Sequence, residues 1–412
     1  MARLAVGSAA EIEQAVAAAV AARQPLAIEG LGSRKGLGRP VAAETVLDTS
    51  ALTGIIDYEP EELVLVAKPA TPLSTILTNL DQAGQMLAFD PPWGSGRADR
   101  AMGSIGGVIA CNLAGPRRLV AGAARDYLLG FKAVSGRGEA FQSGSRVMKN
   151  VTGYDLPKLI AGSFGTLAVM HEITLKTMPK PQSVAALVIA VPDLEAAGLV
   201  MREAFASPHE PAAASALPAE AAIYSSVAEM IGAEGSTARV LVVLRLEGPR
   251  VSVKHRCQAL ADMLAPGCER QHLTGRQADR LHGEIREVAL LAAQDNRVLW
   301  KISCPPASGP TLLAGLMQRP HSTGFLDWAG GLLWLSHPAS GDGGAAAIRQ
   351  QLDLHGGHAM LYKAEEKLRH KVAVFQPQPP ALAGLSARIK ASFDPLGILN
   401  PGRMYATDQG EG

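Results

Sequence analysis

Short apolar runs alternate with helix-periodic segments through the first 180 residues, and glycine or proline separates most of them. Ser8 and Glu11 predict a capped helix that runs to about Ala22. The apolar runs PLAIEG, TVLDTS and ELVLVAKP predict strands. Thr71 followed by Pro72 predicts the N-cap and the first residue of a further helix.

The same mixture continues up to Lys180. Two alternating runs around Ser-Gly-Arg-Gly in DYLLGFKAVSGRGEAF predict a hairpin. The segment DLPKLIAGS predicts a short helix, and TLAVMHEITLKT predicts a strand. We therefore expect an α+β domain over residues 1–180.

The proline-bearing segment MPKPQS, residues 178–183, predicts a domain boundary. Beyond it strands and helices alternate, with Asp193 placed to cap one helix and Pro310 in the first turn of another. This order predicts a second α+β domain over residues 181–378, built from ferredoxin-like halves. Residues 210–222 are of low complexity and predict a loop. A helix from about Pro379 opens a C-terminal segment, residues 379–412.

Composition narrows the class of protein. A chain of 412 residues with 47% hydrophobic and 19% charged residues is typical of a globular protein of two domains. A net charge of +1 and an aromatic content of 4% argue against binding to nucleic acid. The start of the chain lacks the apolar core of a signal peptide, and no apolar run reaches the roughly 18 residues of a membrane span. We expect a cytoplasmic protein, or one held at a membrane by a partner.

The four cysteines offer no metal-ligand spacing. No two of Cys111, Cys257, Cys268 and Cys304 lie within three residues of each other, so the chain has no C-x-x-C set for a metal or an iron–sulfur cluster. Free cysteines are usually buried and behave as small hydrophobic residues. We expect packing roles in a reducing compartment.

The first candidate site is the loop EGLGSRKGLG, from Glu29 to Gly38, which follows a predicted strand. It offers a run of main-chain N–H groups, the Ser33 hydroxyl and the cations Arg34 and Lys35, a combination that suits a pyrophosphate. Its glycine spacing matches neither a Rossmann fingerprint nor a P-loop. An ordinary glycine-rich turn is an equally good interpretation of this loop alone.

The second candidate is GSIGGVIACNLAG, residues 103–115. Ser104 is placed to cap a short helix from Ile105 to Asn112, which would direct free N–H groups at a phosphate. The adjacent glycines 106 and 107 would let a ligand lie against the main chain. Tight packing between this helix and a sheet explains the same glycines equally well.

The third candidate is VMKNVTGYDLPKLIAGSFGTLAVM, residues 147–170, which brings Lys149, Tyr154 and Asp155 into one strand–turn–helix–strand unit. On turn preferences alone, Tyr154 and Asp155 form a turn and a helix cap rather than a catalytic pair. Four histidines and a pair of arginines are the other candidate catalytic groups, namely His171, His337, His355, His358, Arg117 and Arg118.

These remaining groups carry weak signals. His355 and His358 flank two glycines, but a metal site normally needs three or four ligands. Arg117 and Arg118 could hold a carboxylate by bidentate contacts, although a solvated pair is the more ordinary account. The string SHPASGDGGAA, residues 336–346, predicts a turn that leads into a helix.

Taken in order, the motifs EGLGS, SIGG…N…G, RD…LG and K…GYDL…GSFGTL resemble the vanillyl-alcohol-oxidase (PCMH)-type FAD-binding family over about residues 1–180. The wording of the third motif, with GGHAMLY and FDPLGILNPGRMY near the C-terminus, is similar to the smaller FAD-binding subunits of bacterial glycolate oxidases. The resemblance implies a PCMH-type two-subdomain FAD-binding domain followed by an α+β cap domain on the substrate side. It also implies that the C-terminal segment returns to the FAD-binding domain.

The resemblance also implies where FAD would bind. It places a pyrophosphate loop at Gly30, Leu31, Gly32, Ser33 and Arg34. It places the second phosphate and the ring-side wall at Ser104, Ile105, Gly106, Gly107 and Asn112. It places the flavin or adenine end at Asp126, Gly162, Gly165, Leu167 and Val169, with Asn400 approaching the isoalloxazine. The first loop has neither His nor Cys, so we expect FAD to be non-covalent, and we assign no catalytic residue and no metal site.

The function implied is an FAD-dependent oxidoreductase acting on a CH–OH group. The chain would be a subunit of a glycolate oxidase (glycolate dehydrogenase) complex that converts glycolate or a related 2-hydroxy acid to the 2-oxo acid. Its implied partners are a larger FAD-binding subunit and an iron–sulfur subunit, at the inner membrane or in the cytoplasm. Larger relatives carry a GDGNLH-type metal motif that is missing here, which favours a non-catalytic FAD relay as the first alternative. A stand-alone FAD-linked D-2-hydroxy-acid dehydrogenase is the second alternative.

Overall fold

The computed structural model describes residues 2–92, 103–146, 153–231, 239–291 and 296–406. The strands are β1 Ala2–Ala5, β2 Leu26–Glu29, β3 Thr45–Asp48, β4 Ile55–Glu59, β5 Val64–Ala67, β6 Gln85–Met86, β7 Leu128–Ser135, β8 Ala140–Gly144, β9 Ala168–Lys176, β10 Met178–Pro179, β11 Ser183–Val191, β12 Ala213–Pro218, β13 Val240–Gly248, β14 Arg270–Thr274, β15 Arg297–Ser303, β16 Thr323–Asp327, β17 Leu332–Pro338 and β18 His358–Lys363. The helices are α1 Ala9–Ala22, α2 Leu73–Gln82, α3 Ile105–Ala110, α4 Arg118–Ala121, α5 Ala124–Tyr127, α6 Leu156–Ile160, α7 Leu194–Ala206, α8 Ala219–Ala222, α9 Arg250–Met263, α10 Arg276–Arg286, α11 Gly309–Met317, α12 Ala345–His355, α13 Glu366–Lys371 and α14 Pro380–Phe393.

The chain divides into two compact units. The first comprises residues 1–114, 122–180 and 373–412, and the second comprises residues 115–121 and 181–372. The short segment 115–121 therefore groups with the second unit although its neighbours in sequence belong to the first. We predicted an FAD-binding domain over residues 1–180, a cap domain over residues 181–378 and a C-terminal segment over residues 379–412. These functional assignments stay predictions.

The first unit holds a parallel sheet in the order β1-β3-β2 and an antiparallel sheet in the order β4-β5-β9-β7-β8. Helix α1 begins as predicted, because the Ser8 hydroxyl accepts a hydrogen bond from the Glu11 N–H at 3.3 Å. The Glu11 carboxylate accepts from the N–H of Gly7 at 2.8 Å, one residue before the usual capping-box partner. The α1 side chains Ile12 and Val16 are buried in a core shared with Leu47 of β3.

The C-terminal segment completes this unit. Leu26 of β2 forms an isolated parallel bridge with Leu399, so the chain after α14 lies along the free edge of the parallel sheet. The buried Asp394 carboxylate fixes that stretch, since it accepts from the N–H groups of Ile398 and Leu399 at 2.9 and 2.8 Å. Lys390 donates to the same carboxylate at 2.5 Å.

The second unit holds one antiparallel sheet of eight strands, in the order β14-β11-β13-β12-β16-β17-β15-β18. Each half has the element sequence βαββαβ, the first with α7 and α9 and the second with α11 and α12. The strand order 4-1-3-2 in each half is that of a ferredoxin-like unit, and the two halves join edge to edge through β12 and β16. The predicted ferredoxin-like halves are confirmed.

Two elements differ from their predictions. Residues 213–218 form the fully buried strand β12, where we predicted a loop. Its alanines and serine show no apolar–polar alternation because both faces of the strand are covered. Thr71 is also not the cap of α2, since the helix begins at Leu73 with Pro72 as the N-cap residue. The Thr71 hydroxyl donates instead to the Lys68 carbonyl at 2.6 Å.

Candidate functional site

The loop after β2 presents main-chain N–H groups to solvent. Gly32 adopts a φ of +72°, which turns the chain so that successive N–H groups point to one side. Within the described part of the chain, the N–H groups of Leu31, Gly32 and Ser33 donate to no protein acceptor, and all three residues are exposed. The loop closes on itself through a hydrogen bond from Lys35 N–H to the Gly32 carbonyl at 3.1 Å. This arrangement fits an anion held by three N–H groups.

The stretch that precedes α3 lies directly against this loop. A Cβ placed on Gly103 would stand 2.5 Å from the Ser33 Oγ, and one on Gly107 would stand 3.2 Å from the Arg34 Cγ. The Arg34 guanidinium donates to the Pro92 carbonyl at 2.6 Å. The first and second candidate sites therefore lie side by side.

Helix α3 corrects one prediction. It spans Ile105–Ala110 and ends two residues earlier than predicted, with Ser104 as its N-cap. Its first N–H groups are not free: Ile105 donates to the Thr71 carbonyl at 3.1 Å and Gly106 donates to the Pro69 carbonyl at 2.8 Å. The Gly107 N–H makes a long 3.4 Å bond to the Ser104 Oγ. The prediction of free N–H groups directed at a phosphate is wrong for residues 105 and 106.

The close neighbour of Gly106 is protein. A Cβ at that position would lie 2.6 Å from the Pro69 Cβ and 2.7 Å from the Pro69 carbonyl oxygen. The tight-packing interpretation therefore accounts for Gly106. A Cβ on Gly107 would meet the flexible stem of Arg34 at 3.2 Å and the Ser104 Oγ at 3.7 Å, so its face is the more open of the two.

The other end of α3 meets the turn before β9. Asn112, at a φ of +46°, accepts a hydrogen bond from the Arg125 N–H at 3.0 Å, and its Cβ lies 3.2 Å from where a Cβ on Gly162 would stand. Asp126 lies in the same region, where its carboxylate accepts from the Ala123 N–H at 2.8 Å and caps α5. These contacts are structural, and a role for Asn112, Asp126 or Gly162 beside a ligand stays a prediction.

Asn400 connects the C-terminal segment to two other parts of the unit. Its Oδ1 accepts from the Ile28 N–H and its Nδ2 donates to the Phe164 carbonyl, each at 2.8 Å. The side chain is buried, and its Nδ2 lies 2.8 Å from where a Cβ on Gly165 would stand. Both polar ends of the amide are thus engaged by protein, while its predicted approach to an isoalloxazine ring stays a prediction.

Three predicted site residues are core residues by their side chains. Ile105 is fully buried, Leu167 packs in a cluster with Phe131, and Val169 packs in the core of α1. A role for them beside a ligand would have to use the main chain. Lys149 lies outside the described residues.

The turn before α6 confirms that Asp155, in the third candidate site, is a helix cap. Asp155 is the N-cap of α6, and its side chain accepts from the Lys158 N–H at 3.4 Å. Tyr154 is 90% exposed. The pair forms a turn and a helix cap, as predicted.

Arg403 is a residue that the sequence analysis missed. Its guanidinium donates to the Arg34 carbonyl at 2.9 Å and to the carbonyls of Lys35 and Arg39 at 3.2 Å each. The Arg403 carbonyl accepts from the Arg39 N–H at 2.8 Å. Two of these hydrogen bonds reach the glycine loop and two reach Arg39, directly after it, from a position more than 360 residues later in the chain. Nothing local to either segment signals this contact.

In the second unit, the arginine pair is not solvated. Arg117 forms an ion pair with Glu247 at 2.8 Å, and the two side chains are only 13% and 9% exposed. Arg118 places its guanidinium 4.8 Å from the centroid of the Trp328 ring. The expectation of a solvated pair is wrong: Arg117 does hold a carboxylate, one supplied by the protein itself.

The string around His337 forms a turn that leads into α12, as predicted. The Asp342 carboxylate accepts from the N–H groups of Gly344 and Ala346 at 2.9 and 2.8 Å. Burial, and then the charges of Arg319 and Arg297, lower the pKa of His337, whose Nδ1 lies 2.8 Å from the Ser322 Oγ. Across the described residues, no three His, Cys, Asp or Glu side chains gather as metal ligands would.

The cysteines are free thiols. Cys257 and Cys304 are buried, and Cys111 and Cys268 are half-buried. Burial raises the pKa of the Cys304 thiol to about 11, which keeps it protonated at neutral pH. Cys304 and Cys257 are packing residues, as expected.

Comparison with known proteins gives the family. Residues 2–144 match the profile of the FAD binding domain family, and residues 369–404 match that of the C-terminal domain of FAD linked oxidases. The chain is 35% identical over 389 residues to the glycolate oxidase subunit GlcE of Escherichia coli (strain K12), covering 94% of this chain and 95% of that protein. It is 32% identical over 204 residues to a D-2-hydroxyglutarate dehydrogenase of Xanthomonas citri pv. viticola, covering 49% of this chain and 41% of that protein.

A solved structure agrees on the fold. Substrate-bound p-cresol methylhydroxylase superposes with a TM-score of 0.71 at 15% identity, covering 100% of this chain and 90% of that one. At this identity the likeness shows the fold alone, and it confirms the predicted vanillyl-alcohol-oxidase-type class. Among the described helices, none has the length and apolar character needed to cross a membrane.

Proposed function

The chain belongs to the family of glycolate oxidase FAD-binding subunits, and from this premise we propose that it is the smaller flavin subunit of a complex that oxidises glycolate or a related 2-hydroxy acid to the 2-oxo acid. The single observation that carries this proposal is the cluster formed by the exposed N–H groups of Leu31, Gly32 and Ser33 with residues 103–107 beside them. FAD carries two adjacent phosphates, and such a cluster of N–H groups suits them.

The residues fit the cofactor. The N–H groups of residues 31–33 and the charge of Arg34 would hold the pyrophosphate, and the face of Gly107 would lie beside it. When bound, FAD supplies the hydride-accepting chemistry that oxidation of a CH–OH group requires. The loop from Glu29 to Gly38 contains no His or Cys, so the cofactor is held non-covalently.

The protein holds the cofactor loop in shape from a distance. Arg403 donates to the carbonyls of Arg34, Lys35 and Arg39, which turns those carbonyls away from the anion and leaves the N–H groups of the loop facing it. The partners of the chain are a larger flavin subunit and an iron–sulfur subunit that accepts the electrons. The complex lies in the cytoplasm or at the inner membrane.

One observation favours a second role, that of an electron relay. The GDG segment that carries a metal motif in larger relatives here has its Asp342 carboxylate committed to the N–H groups of Gly344 and Ala346. A chain that uses this carboxylate as a helix cap lacks it for substrate. In the relay role, the larger flavin subunit performs the chemical step and this chain passes electrons on.

One purification tests these proposals. The full chain is purified from its native source, with its partners, and the flavin released by heat is identified by mass. We expect FAD, iron and a larger flavin protein to copurify; a colourless chain without partners overturns the proposal. Anaerobic glycolate added to the separated chain then distinguishes the roles, because rapid bleaching of its own flavin supports catalysis and no bleaching supports the relay.

A further inference from the structure

Two carboxylates lie next to each other where the glycine loop (residues 29–38) begins. Glu29 ends β2 and Asp48 ends β3, and the parallel register pairs these two residues directly. Their side chains are only 14% and 18% exposed, so water screens the two charges poorly. Like charges on directly paired residues of neighbouring strands repel each other. The pair therefore needs a cation.

Arg3 of β1 supplies that cation. Its guanidinium donates to the Asp48 Oδ2 through Nε at 3.2 Å and through Nη2 at 2.9 Å, and it donates to the Glu29 Oε2 through Nη1 at 3.3 Å. The hydrogen bonds with Asp48, its charge, and then the charge of Glu29 raise the pKa of Arg3. Arg3 therefore bridges the ends of β2 and β3.

Asp48 keeps its charge at neutral pH. Hydrogen bonds with Ser50 are the first cause that lowers its pKa, and Arg3 lowers it further, while burial acts in the opposite direction. The Ser50 N–H donates to the Asp48 Oδ1 at 3.0 Å. Removal of Arg3 would thus leave a charged carboxylate, because the hydrogen bonds from Ser50 remain.

Lys35 compensates the other carboxylate from within the glycine loop. Its ammonium lies 2.9 Å from the Glu29 Oε1. The sequence analysis offered Lys35 as a cation for a pyrophosphate, whereas in the structure its charge is paired with Glu29. Two cations, Arg3 and Lys35, thus balance the two carboxylates, and loss of Arg3 leaves the cluster with an excess negative charge.

This charge cluster is close to the exposed N–H groups of the loop. Ser33 follows Glu29 by four residues, so their main chains are at most about 15 Å apart. That distance is about half the Debye length of about 30 Å at 0.01 M salt. An uncompensated carboxylate at the start of the loop would therefore repel an anion held by the N–H groups of residues 31–33.

We propose that Arg3 is a positioning residue for the cofactor, because it compensates Glu29 and Asp48 and so keeps the glycine loop attractive to the pyrophosphate of FAD. The inference rests on the proposed function, since it concerns the same loop. Among the described residues, the Arg3 side chain donates to Glu29 and Asp48 alone, so it acts through them. It is 53% exposed, and exposed ion pairs contribute little to stability. Its effect on FAD can thus be separated from folding.

Titration of the flavin-free full chain with FAD, followed by the change in flavin fluorescence, tests this role. Arg3→Met is expected to weaken FAD binding about three- to tenfold at about 0.01 M salt, because an uncompensated carboxylate then repels the pyrophosphate. At about 1 M salt the Debye length is about 3 Å, and the variant is expected to bind FAD within about twofold of the parent. A contact that served the fold alone would not depend on salt in this way.

Three further variants separate charge from packing. Arg3→Lys keeps the charge and is expected to bind FAD within about twofold of the parent. The double variant Arg3→Met with Asp48→Asn removes a carboxylate together with the cation, so it is expected to recover most of the affinity lost at low salt. Arg23→Met is the matched control, since exposed Arg23 precedes β2, at the opposite end of that strand from the loop, and is expected to stay within about twofold of the parent.

Three results would overturn the role of Arg3: parent-like FAD affinity of Arg3→Met at low salt, a loss of affinity that is equal at both salt concentrations, or a double variant that recovers nothing. Circular dichroism checks that each variant folds. If Arg3→Met does not fold, Asp48→Asn alone decides. Removal of one carboxylate is expected to tighten FAD binding at low salt, and an unchanged or weaker affinity overturns the proposal.

The parent chain separates this test from that of the proposed function. A parent that binds FAD, with an affinity that Arg3→Met does not change, refutes only the role of Arg3. A parent that binds no FAD at either salt concentration refutes the proposed function, and the role of Arg3 with it.

Discussion

The carbonyl oxygen of Pro69 accepts a hydrogen bond from the Gly106 N–H at 2.8 Å and stands 2.7 Å from where a Cβ on residue 106 would lie. Gly106→Ala is therefore expected to destabilise the protein by about 1–3 kcal/mol, because the new methyl meets main chain that cannot move aside. Urea unfolding measures the change. Gly36→Ala, where nothing lies within 4 Å, is the control and is expected to stay near the parent. Equal stability of the two variants contradicts the packing account.

The Ser33 side chain touches the position of Gly103, and its N–H belongs to the exposed set of the glycine loop. Ser33→Asp is expected to weaken FAD binding about tenfold or more, because it places a negative charge beside the pyrophosphate. Ser33→Asn has nearly the same shape without the charge and separates the electrostatic effect from crowding. The flavin-to-protein ratio after dialysis measures both, and equal FAD loss in the two variants argues for a steric cause.

The sequence predicted those structural features that depend on residues only a few positions apart. Ser8 caps α1 and Asp193 caps α7 because the partner N–H groups lie three residues away, at Glu11 and Ala196. The contact of Arg403 with Arg34 spans 369 positions and leaves no local pattern. The loop on Gly30 was predicted as an anion site, but the residues that shape it from the C-terminal segment were not.

The glycine residues show a second limit to what can be predicted from the sequence. The sequence of α3 permits either a ligand or protein beside Gly106, and only the fold shows that Pro69 occupies the space. The prediction for β12 was wrong for a different reason: a fully buried strand of small residues shows no alternation of apolar and polar positions.

Asn400 leaves two main-chain groups without partners when its amide is removed. Asn400→Ala is expected to cost about 1–3 kcal/mol for each of the Ile28 N–H and the Phe164 carbonyl. Asn400→Asp keeps an acceptor for Ile28 but loses the donor to Phe164 and adds a buried charge, so it is expected to cost more than the loss of that donor alone. Chemical denaturation measures the stability of both variants, and the visible spectrum of the bound flavin is recorded for each. A changed spectrum at unchanged stability would instead place the amide at the isoalloxazine.

The ion pair of Arg117 and Glu247 is buried, and removal of Arg117 leaves Glu247 with Arg245, at 2.6 Å, as its remaining cation. Arg117→Met is expected to lower stability by about 1.5–3 kcal/mol, since it removes one hydrogen bond between charged groups. The second unit has its own core, so thermal unfolding followed by circular dichroism should show the loss in one transition. The double variant Arg117→Met with Glu247→Gln is expected to lose less stability than the sum of the two single variants, and a loss equal to that sum contradicts a direct pairing.

Asp342 gives stability a dependence on pH that can be tested. Burial acts to raise its pKa, but the N–H groups of Ala346 and Gly344 outweigh this effect, so the folded pKa lies below the ordinary value of 3.8. A carboxyl whose pKa is lowered by folding stabilises the protein above its unfolded pKa, and the gain is lost as pH falls through the folded pKa. Asp342→Asn is thus expected to have a lower melting temperature than the parent at pH 7, and this difference in melting temperature is expected to shrink as pH falls below about 4. Asp353→Asn on the same helix is the control, and a pH-independent difference for Asp342→Asn would show that hydrogen-bond geometry, and not charge, sets the cap.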